Sequence, residues 1–319
     1  MIKVGVIVNP DSHKNKSNMS GLMAILEARA HVEHTVLGGI GDIRSALRRF
    51  ADQGVELVAV AGGDGTVQFA LTELFDNGPF STMPKIAILP CGRTNMTAAD
   101  IGVTGRSTNG MARLLDAAQR PDFDRFIIER PVLRVDNAKD CGPQYGLFFG
   151  GAAVWRAIEY CRDEIHRYKA GANFTSAVIF IWILTRSLLA GGDDSIFRGD
   201  DVSIKVDDTD IGVRSSLLVL ATTLDKLLLG SRPYWDRGDA NVAFTQISFP
   251  TYRLVRTAPR LLYGGAVRKL PPEHYFSHGA RRVVLAMDCP FTIDGAYFEP
   301  EPGRDIVLTG DQKIGFVRL

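Results

Sequence analysis

The sequence predicts two domains: an N-terminal α/β domain built on a parallel sheet, and a mainly antiparallel β-sandwich domain after it. Three observations carry this reading. Strand-like and helix-like patterns alternate through the first 125 residues, as in α/β proteins. Two runs there, Leu57–Ala61 and Ile86–Leu89, are apolar throughout, the signature of strands covered on both faces of a parallel sheet. Beyond about residue 125, strand-like runs follow one another across turn-rich breaks.

The elements of the first domain follow in order. Lys3–Val8 is a short Val/Ile-rich strand ended by Asn9-Pro10. Met19–Arg29 is helix-like, and Glu33–Leu37 reads as a second strand. Asp42–Gln53 is an amphipathic helix with Ile43, Ala46, Leu47 and Phe50 on one face and Gly54 at its end. Leu57–Ala61 leads into Gly62-Gly63-Asp64-Gly65-Thr66, and Val67, Ala70, Leu71, Leu74 and Phe75 then recur at helical spacing. Ile86–Leu89 is broken by Pro90.

In the second domain, Phe126–Val135, Tyr145–Gly150, Asp201–Val206 and Gly212–Leu220 read as strands. Cys141-Gly142-Pro143 and Asp207-Asp208 are breaks. A helical stretch at about Ala157–Leu189 is inserted among them, and Arg282–Met287 and Phe291–Ile293 continue the strands. Asp305–Leu319 reads as one more strand pair. The expected domains are residues 1–125 with about 300–319, and residues 126–299.

Composition agrees. A chain of 319 residues suggests two domains, and 45% hydrophobic with 23% charged residues is an ordinary globular balance. This argues against a disordered, fibrous or small disulfide-rich protein. The net charge of +1 supplies no global field for nucleic acid. Cys91, Cys141, Cys161 and Cys289 form no C-x-x-C pair and read as reduced thiols in a cytoplasmic protein. The N-terminus lacks the pattern of a signal peptide. Ser176–Leu189 is the one strongly apolar segment, and it is too short to span a bilayer before Arg186 interrupts it. A buried helix is the reading its length favours, with a helix lying at a membrane surface as the alternative.

The chemistry concentrates in three loops. Gly62–Thr66 joins a buried strand to a helix, where ligands of open α/β sheets bind. Glycines there admit phosphate oxygens to backbone N–H groups, and the helix presents its positive end. Asp64 would repel a bare phosphate, so it implies a metal ion, a proton to manage or a sugar hydroxyl to hold. Asn9 and Asn95 offer amides from two other strand ends, and Arg93 offers a fork suited to phosphate. Singly each is explained by turn capping, but together at one sheet edge they favour a nucleotide site. No G-x-x-x-x-G-K-[ST] loop, G-x-G-x-x-G fingerprint, protein-kinase catalytic-loop signature, H-E-x-x-H or G-x-S-x-G is present. His31 and His34 make no metal pattern with any further ligand.

Asn9-Pro10, Gly62–Thr66 and Pro90-x-Gly92-x-x-Asn95-x-x-Ala98 occur in the order and spacing of the diacylglycerol kinase catalytic-domain family, and the chain resembles it. That family includes bacterial soluble lipid kinases, sphingosine kinases and ceramide kinases, and is more distantly similar to NAD kinases. The resemblance implies a diacylglycerol-kinase and NAD-kinase-like fold and ATP-dependent phosphorylation of a lipid hydroxyl. It places Asn9, Gly62, Gly63, Asp64, Gly65, Thr66, Gly92, Arg93 and Asn95 at the ATP, with Mg²⁺ on the phosphates. Asp294 matches the aspartate of the family's Asp-Gly-Glu motif and would be the general base. With Asp64 it makes up the expected catalytic pair. Read without the resemblance, Asp294-Gly295 is a plain turn.

The sequence departs from the family at three places. Arg93 stands where the family has Thr, and Ala296 where it has Glu. Between Thr222 and Asn241 the family's magnesium-site pattern is not reproduced, leaving Asp236 and Asp239 as acidic candidates. These departures support an alternative: a nucleotide- or lipid-binding protein with weak catalysis or none. A kinase of a soluble hydroxyl acceptor is a second alternative. Phe249–Lys269 carries Arg253, Arg256, Arg260, Arg268 and Lys269 among Tyr252, Leu254, Leu261, Leu262 and Tyr263. It reads as a solvated helix face or as a dock for an anionic membrane. The expected partners are a lipid substrate at a membrane surface and, for the β-rich domain, a second copy of the chain. The expected location is the cytoplasm with peripheral membrane contact.

Overall fold

The computed structural model describes residues 2–157, 198–251, 253–264 and 270–319. The inserted helical stretch beyond residue 157, the apolar run Ser176–Leu189, Cys161, Tyr252, Arg268 and Lys269 lie outside them. The chain divides into two compact units, Met1–Pro131 with Lys313–Leu319, and Val132–Gln312.

The first unit holds four parallel strands: β1 (Val4–Val8), β2 (Val32–Val36), β3 (Leu57–Gly62) and β4 (Lys85–Pro90). Their order is β2-β1-β3-β4, with Val4 level with Val32 and Leu57, and Leu57 level with Lys85. Every residue of β1 and β3 is buried, which is why both are apolar without alternation. Five helices accompany the sheet: α1 (Asn15–Glu27), α2 (Asp42–Asp52), α3 (Asp64–Asp76), α4 (Met96–Ile101) and α5 (Ser107–Ala118). Val4, Val6 and Val8 join Leu22 and Leu26 of α1 and Met111, Leu114 and Leu115 of α5 in one core. Phe50 of α2 lies against Gly5, the other face of β1, so helices cover both sides. Helix α1 begins four residues before the expected Met19, because the polar Asn15–Asn18 stretch carries no apolar period to mark it.

The second unit is mainly antiparallel. Strand β5 (Ile127–Asp136) enters it and pairs with β6 (Gln144–Gly146). Then come β7 (Phe148–Ala152), β8 (Asp200–Val206), β9 (Thr209–Thr222), β10 (Val242–Ser248), α6 (Leu254–Tyr263), β11 (Tyr275–Ala280) and β12 (Arg282–Ala286). Strands β13 (Phe291–Ile293), β14 (Ala296–Phe298) and β15 (Ile306–Val317) end it. Long β9 pairs with β7, β8 and β10, and Phe149, Val219, Phe244, Val283, Phe291 and Leu308 share one core.

Two expectations are corrected. The run Tyr145–Gly150 is two strands, because Leu147 leaves the ladder to make the contacts described below. The expected strand pair over Asp305–Leu319 is the single strand β15. A Cβ at Gly310 would stand 2.7 Å from Val242 Cγ2, so this glycine serves close strand packing and the chain does not turn there. Its last residues return to the first unit, where Phe316 is level with Ile86 of β4 in parallel pairing.

Candidate active site

Three loops meet at the carboxyl edge of β1, β3 and β4, and their contacts hold them as one platform. Asn9, after β1, donates from Nδ2 to Thr66 Oγ1 at 2.9 Å, and its Oδ1 accepts the Asp11 N–H at 3.0 Å. Asn15 at the start of α1 is fully buried and donates from Nδ2 to the carbonyls of Asn9 and Ala61, at 2.8 and 2.9 Å. Lys14 N–H donates to the Cys91 carbonyl at 2.9 Å, joining the first loop to the third. Burial pushes the Cys91 thiol up to about 11, partly opposed by the Lys14 charge.

The glycine loop and the third loop touch through backbone. A Cβ at Gly92 would lie 2.7 Å from Gly63 Cα, so position 92 admits no side chain without moving the loops apart. Asn95 locks Gly92 from both sides: Gly92 N–H donates to Asn95 Oδ1 at 2.7 Å, and Asn95 Nδ2 donates to the Gly92 carbonyl at 2.8 Å. Asn95 adopts the left-handed conformation (φ 50°), which asparagine tolerates better than most residues. Arg93, beside it, is exposed and makes no ion pair among the described residues.

Asp64 shows what the sequence could not. It opens α3, yet its carboxylate serves another helix: Oδ2 accepts the Met96 N–H at 3.2 Å and Oδ1 the Thr97 N–H at 3.1 Å. These are first-turn donors of α4, so the carboxylate caps that helix and fastens the glycine loop to it. Burial raises the Asp64 pKa above the ordinary carboxylate value, and the N–H bonds pull it back only in part.

Helix α3 starts from Gly63 with no side-chain cap. The Thr66 and Val67 N–H groups both donate to the Gly63 carbonyl, at 3.0 and 3.1 Å, so the N–H groups ahead of them, from Gly63 to Gly65, mark the positive end of this 13-residue helix. A Cβ at Gly65 would meet nothing within 4 Å, so neither packing nor φ demands glycine there. Open space over a bare helix N-terminus fits a phosphate group.

In the second unit, Asp294 occupies a two-residue hairpin turn between β13 and β14, with φ 47° at Asp294 and 83° at Gly295. This is the turn geometry that Asp-Gly favours. Unlike an ordinary turn aspartate, its side chain is only 4% exposed. Its Oδ2 accepts the Leu147 N–H at 2.9 Å, and its own N–H donates to the Phe148 carbonyl at 2.9 Å. The Leu147 carbonyl in turn accepts Thr222 Oγ1 at 2.8 Å. Gly146 leaves room for the carboxylate, since a Cβ there would stand 2.6 Å from Asp294 Oδ2. The turn reading and the functional reading thus describe one residue: a tight turn aims a buried, oriented carboxylate.

Asp236 is exposed and faces His278 (Oδ2 to Nδ1, 3.2 Å), and Asp239 is exposed. Among the described residues no three His, Cys, Asp or Glu side chains gather to hold a metal. Reasoning from sequence missed Asn15, Leu147 and Thr222. Only Asn15 carried a signal, a lone amide soon after Asn9.

Residues 3–124 match the family described as the diacylglycerol kinase catalytic domain. A crystal structure of a diacylglycerol kinase from Bacillus anthracis str. Sterne aligns with TM-score 0.61 and 18% identity, covering 99% of this chain and 96% of that one. Two further structures from the same organism align with TM-scores of 0.66 and 0.65, each at 18% identity. They cover 99% of this chain and 96% and 97% of theirs. At that identity the likeness establishes the fold. No curated protein matches the chain.

Proposed function

We propose that the chain is an ATP-dependent lipid kinase that phosphorylates a hydroxyl of a diacylglycerol-like or sphingoid lipid. The observation that carries this reading is the three-loop platform around the uncapped start of α3, inside residues that match a kinase catalytic domain. ATP supplies the phosphoryl group, and Mg²⁺ bound with it offsets charge on the phosphate oxygens. Such an ion needs only one or two carboxylates beside phosphate and water, and we place Asp236 and Asp239 as candidates for that contact.

The chain's own residues do the rest. Backbone N–H groups from Gly63 to Gly65 hold the phosphates, and Gly65 leaves them room. Asn9 keeps Thr66 in place, and Asn95 keeps Gly92 in place. Asp64 acts as a positioning residue by fixing the glycine loop to α4. Arg93 reaches outward from the same edge as a cation for the phosphate tail. Asp294, held by the Leu147 N–H, takes the proton of the attacking hydroxyl. Phosphoryl transfer asks mostly for positioning and charge stabilisation rather than covalent chemistry from the protein.

The test is transfer of label from γ-labelled ATP into a total lipid extract with Mg²⁺. A labelled lipid supports the reading, and its mass identifies the acceptor class. ATP binding with no labelled lipid favours the non-catalytic alternative suggested by Ala296. Label in a soluble acceptor favours the other alternative.

A further inference from the structure

Helix α6 presents an exposed stripe that the catalytic reading does not use. Leu261 is buried with Ile247, Leu270 and Tyr275, and Thr257 Oγ1 lies 2.7 Å from Tyr275 Oη, so these residues define the inner face. Arg256, Pro259, Arg260 and Tyr263 are exposed, at the three- and four-residue spacing of one helix face, and exposed Arg253 precedes them. No Asp or Glu occurs anywhere from Asn241 to Pro272, so every Asp, Glu, Lys or Arg charge within this segment is positive.

A neighbouring loop extends the stripe. The Arg232 N–H donates to the Leu262 carbonyl at 2.7 Å, placing this loop beside the carboxyl end of α6. The loop exposes Arg232 and holds Leu229 in the left-handed conformation (φ 58°) with 55% of its surface open. A leucine in that backbone region costs energy, and more than half of its surface gains no burial to offset it. Tyr263 is 59% exposed. Cations with an exposed tyrosine and leucine at one end match the chemistry of a bilayer surface: anionic headgroups for the arginines, the acyl boundary for the apolar tips.

We propose that the α6 stripe, Arg253, Arg256, Arg260 and Tyr263, together with Leu229 and Arg232, docks the protein on an anionic phospholipid bilayer. Nucleic acid shares the charge complementarity but gives the exposed leucine no role. The proposal is independent of phosphoryl transfer, because docking needs neither nucleotide nor Asp294.

The test is co-sedimentation of the full chain, without nucleotide, with vesicles of phosphatidylglycerol mixed with phosphatidylcholine. Pure phosphatidylcholine vesicles and a nucleic-acid duplex serve as comparisons. The chain binds the mixed vesicles, and binding weakens as salt rises. The double variant R256Q/R260Q binds about twenty-five-fold more weakly, at about a factor of five for each arginine neutralised near the surface. L229S and Y263S weaken binding while leaving its salt dependence unchanged, and D294N binds like the unaltered chain. All these side chains except Asp294 are exposed, and unchanged thermal unfolding of their variants confirms intact folds. Equal binding to pure phosphatidylcholine, undiminished binding by folded R256Q/R260Q, or a preference for the duplex would overturn the proposal.

Discussion

Two glycines in the loop platform give opposite predictions. At Gly92 an added methyl would stand 2.7 Å from Gly63 Cα, where ordinary contact begins at 3.4 Å. The neighbour is backbone, so Gly92→Ala must push the two loops apart by about 0.7 Å. Overpacking of this kind costs about 1–3 kcal/mol. Expressed in nucleotide binding, that is a loss of about fivefold to a hundredfold. At Gly65 an added methyl meets nothing within 4 Å, and the residue sits in the first turn of α3. Gly65→Ala therefore stabilises the fold by about 0.5–1 kcal/mol through helix propensity. It still weakens ATP binding, because the methyl fills the space assigned to phosphate. Urea unfolding and ATP titration calorimetry on both variants separate the two effects. Gly92→Ala with unchanged stability and unchanged ATP affinity would refute the packing argument. Gly65→Ala with undiminished ATP affinity would refute the placement of the phosphates.

Further predictions concern titrating groups. The Asp64 pKa is raised in the fold, so its unfolded form gives up its proton first as pH climbs. Stability contributed by this group is therefore full in acid, below the ordinary carboxylate value, and is lost as pH rises through the raised folded value. Asp64→Asn should remove that loss and, because a protonated carboxyl and an amide each offer one carbonyl acceptor to the α4 N–H groups, leave stability in acid within about 1 kcal/mol of the unaltered chain. Unfolding free energies across pH check both expectations, and a parallel pair of curves would contradict the first. Among Cys91, Cys141 and Cys289, an alkylating reagent should modify exposed Cys141 first. Cys91 and Cys289 resist, since burial pushes both thiols up to about 11. Mass spectrometry of partially labelled native protein checks the order, and early labelling of Cys91 would mean that the platform opens.

The sequence made parts of this fold legible because local signals agreed. Leu57–Ala61 is apolar without interruption and runs into glycine, so strand, turn and helix were each marked within ten residues. Strands β10 and β11 were not marked: Thr245 and Gln246 are buried polar residues, and β11 carries Ser277, His278 and Gly279, so no clean alternation survives. Helix α5 went unnoticed although Met111, Leu114, Leu115 and Ala118 lie at helical spacing. In the candidate site, residue types were readable and partners were not. Asp64 reaches Met96 and Thr97 across more than thirty residues of chain. Asp294 could be a turn or a buried carboxylate until Leu147 and Gly146 were seen to make a place for it. Such pairings belong to tertiary structure, and no local pattern encodes them.

The central claim rests on Asp294 acting on the hydroxyl while the loop platform holds the nucleotide. The most direct measurement compares the unaltered chain with Asp294→Asn, both in label transfer from γ-labelled ATP into lipid and in ATP affinity. Asparagine keeps an oxygen for the Leu147 N–H and the same turn, but cannot take a proton. The account predicts lipid labelling by the unaltered chain, labelling at least about a hundredfold slower with Asp294→Asn, and equal ATP affinity for both. Full-rate transfer by Asp294→Asn would contradict it.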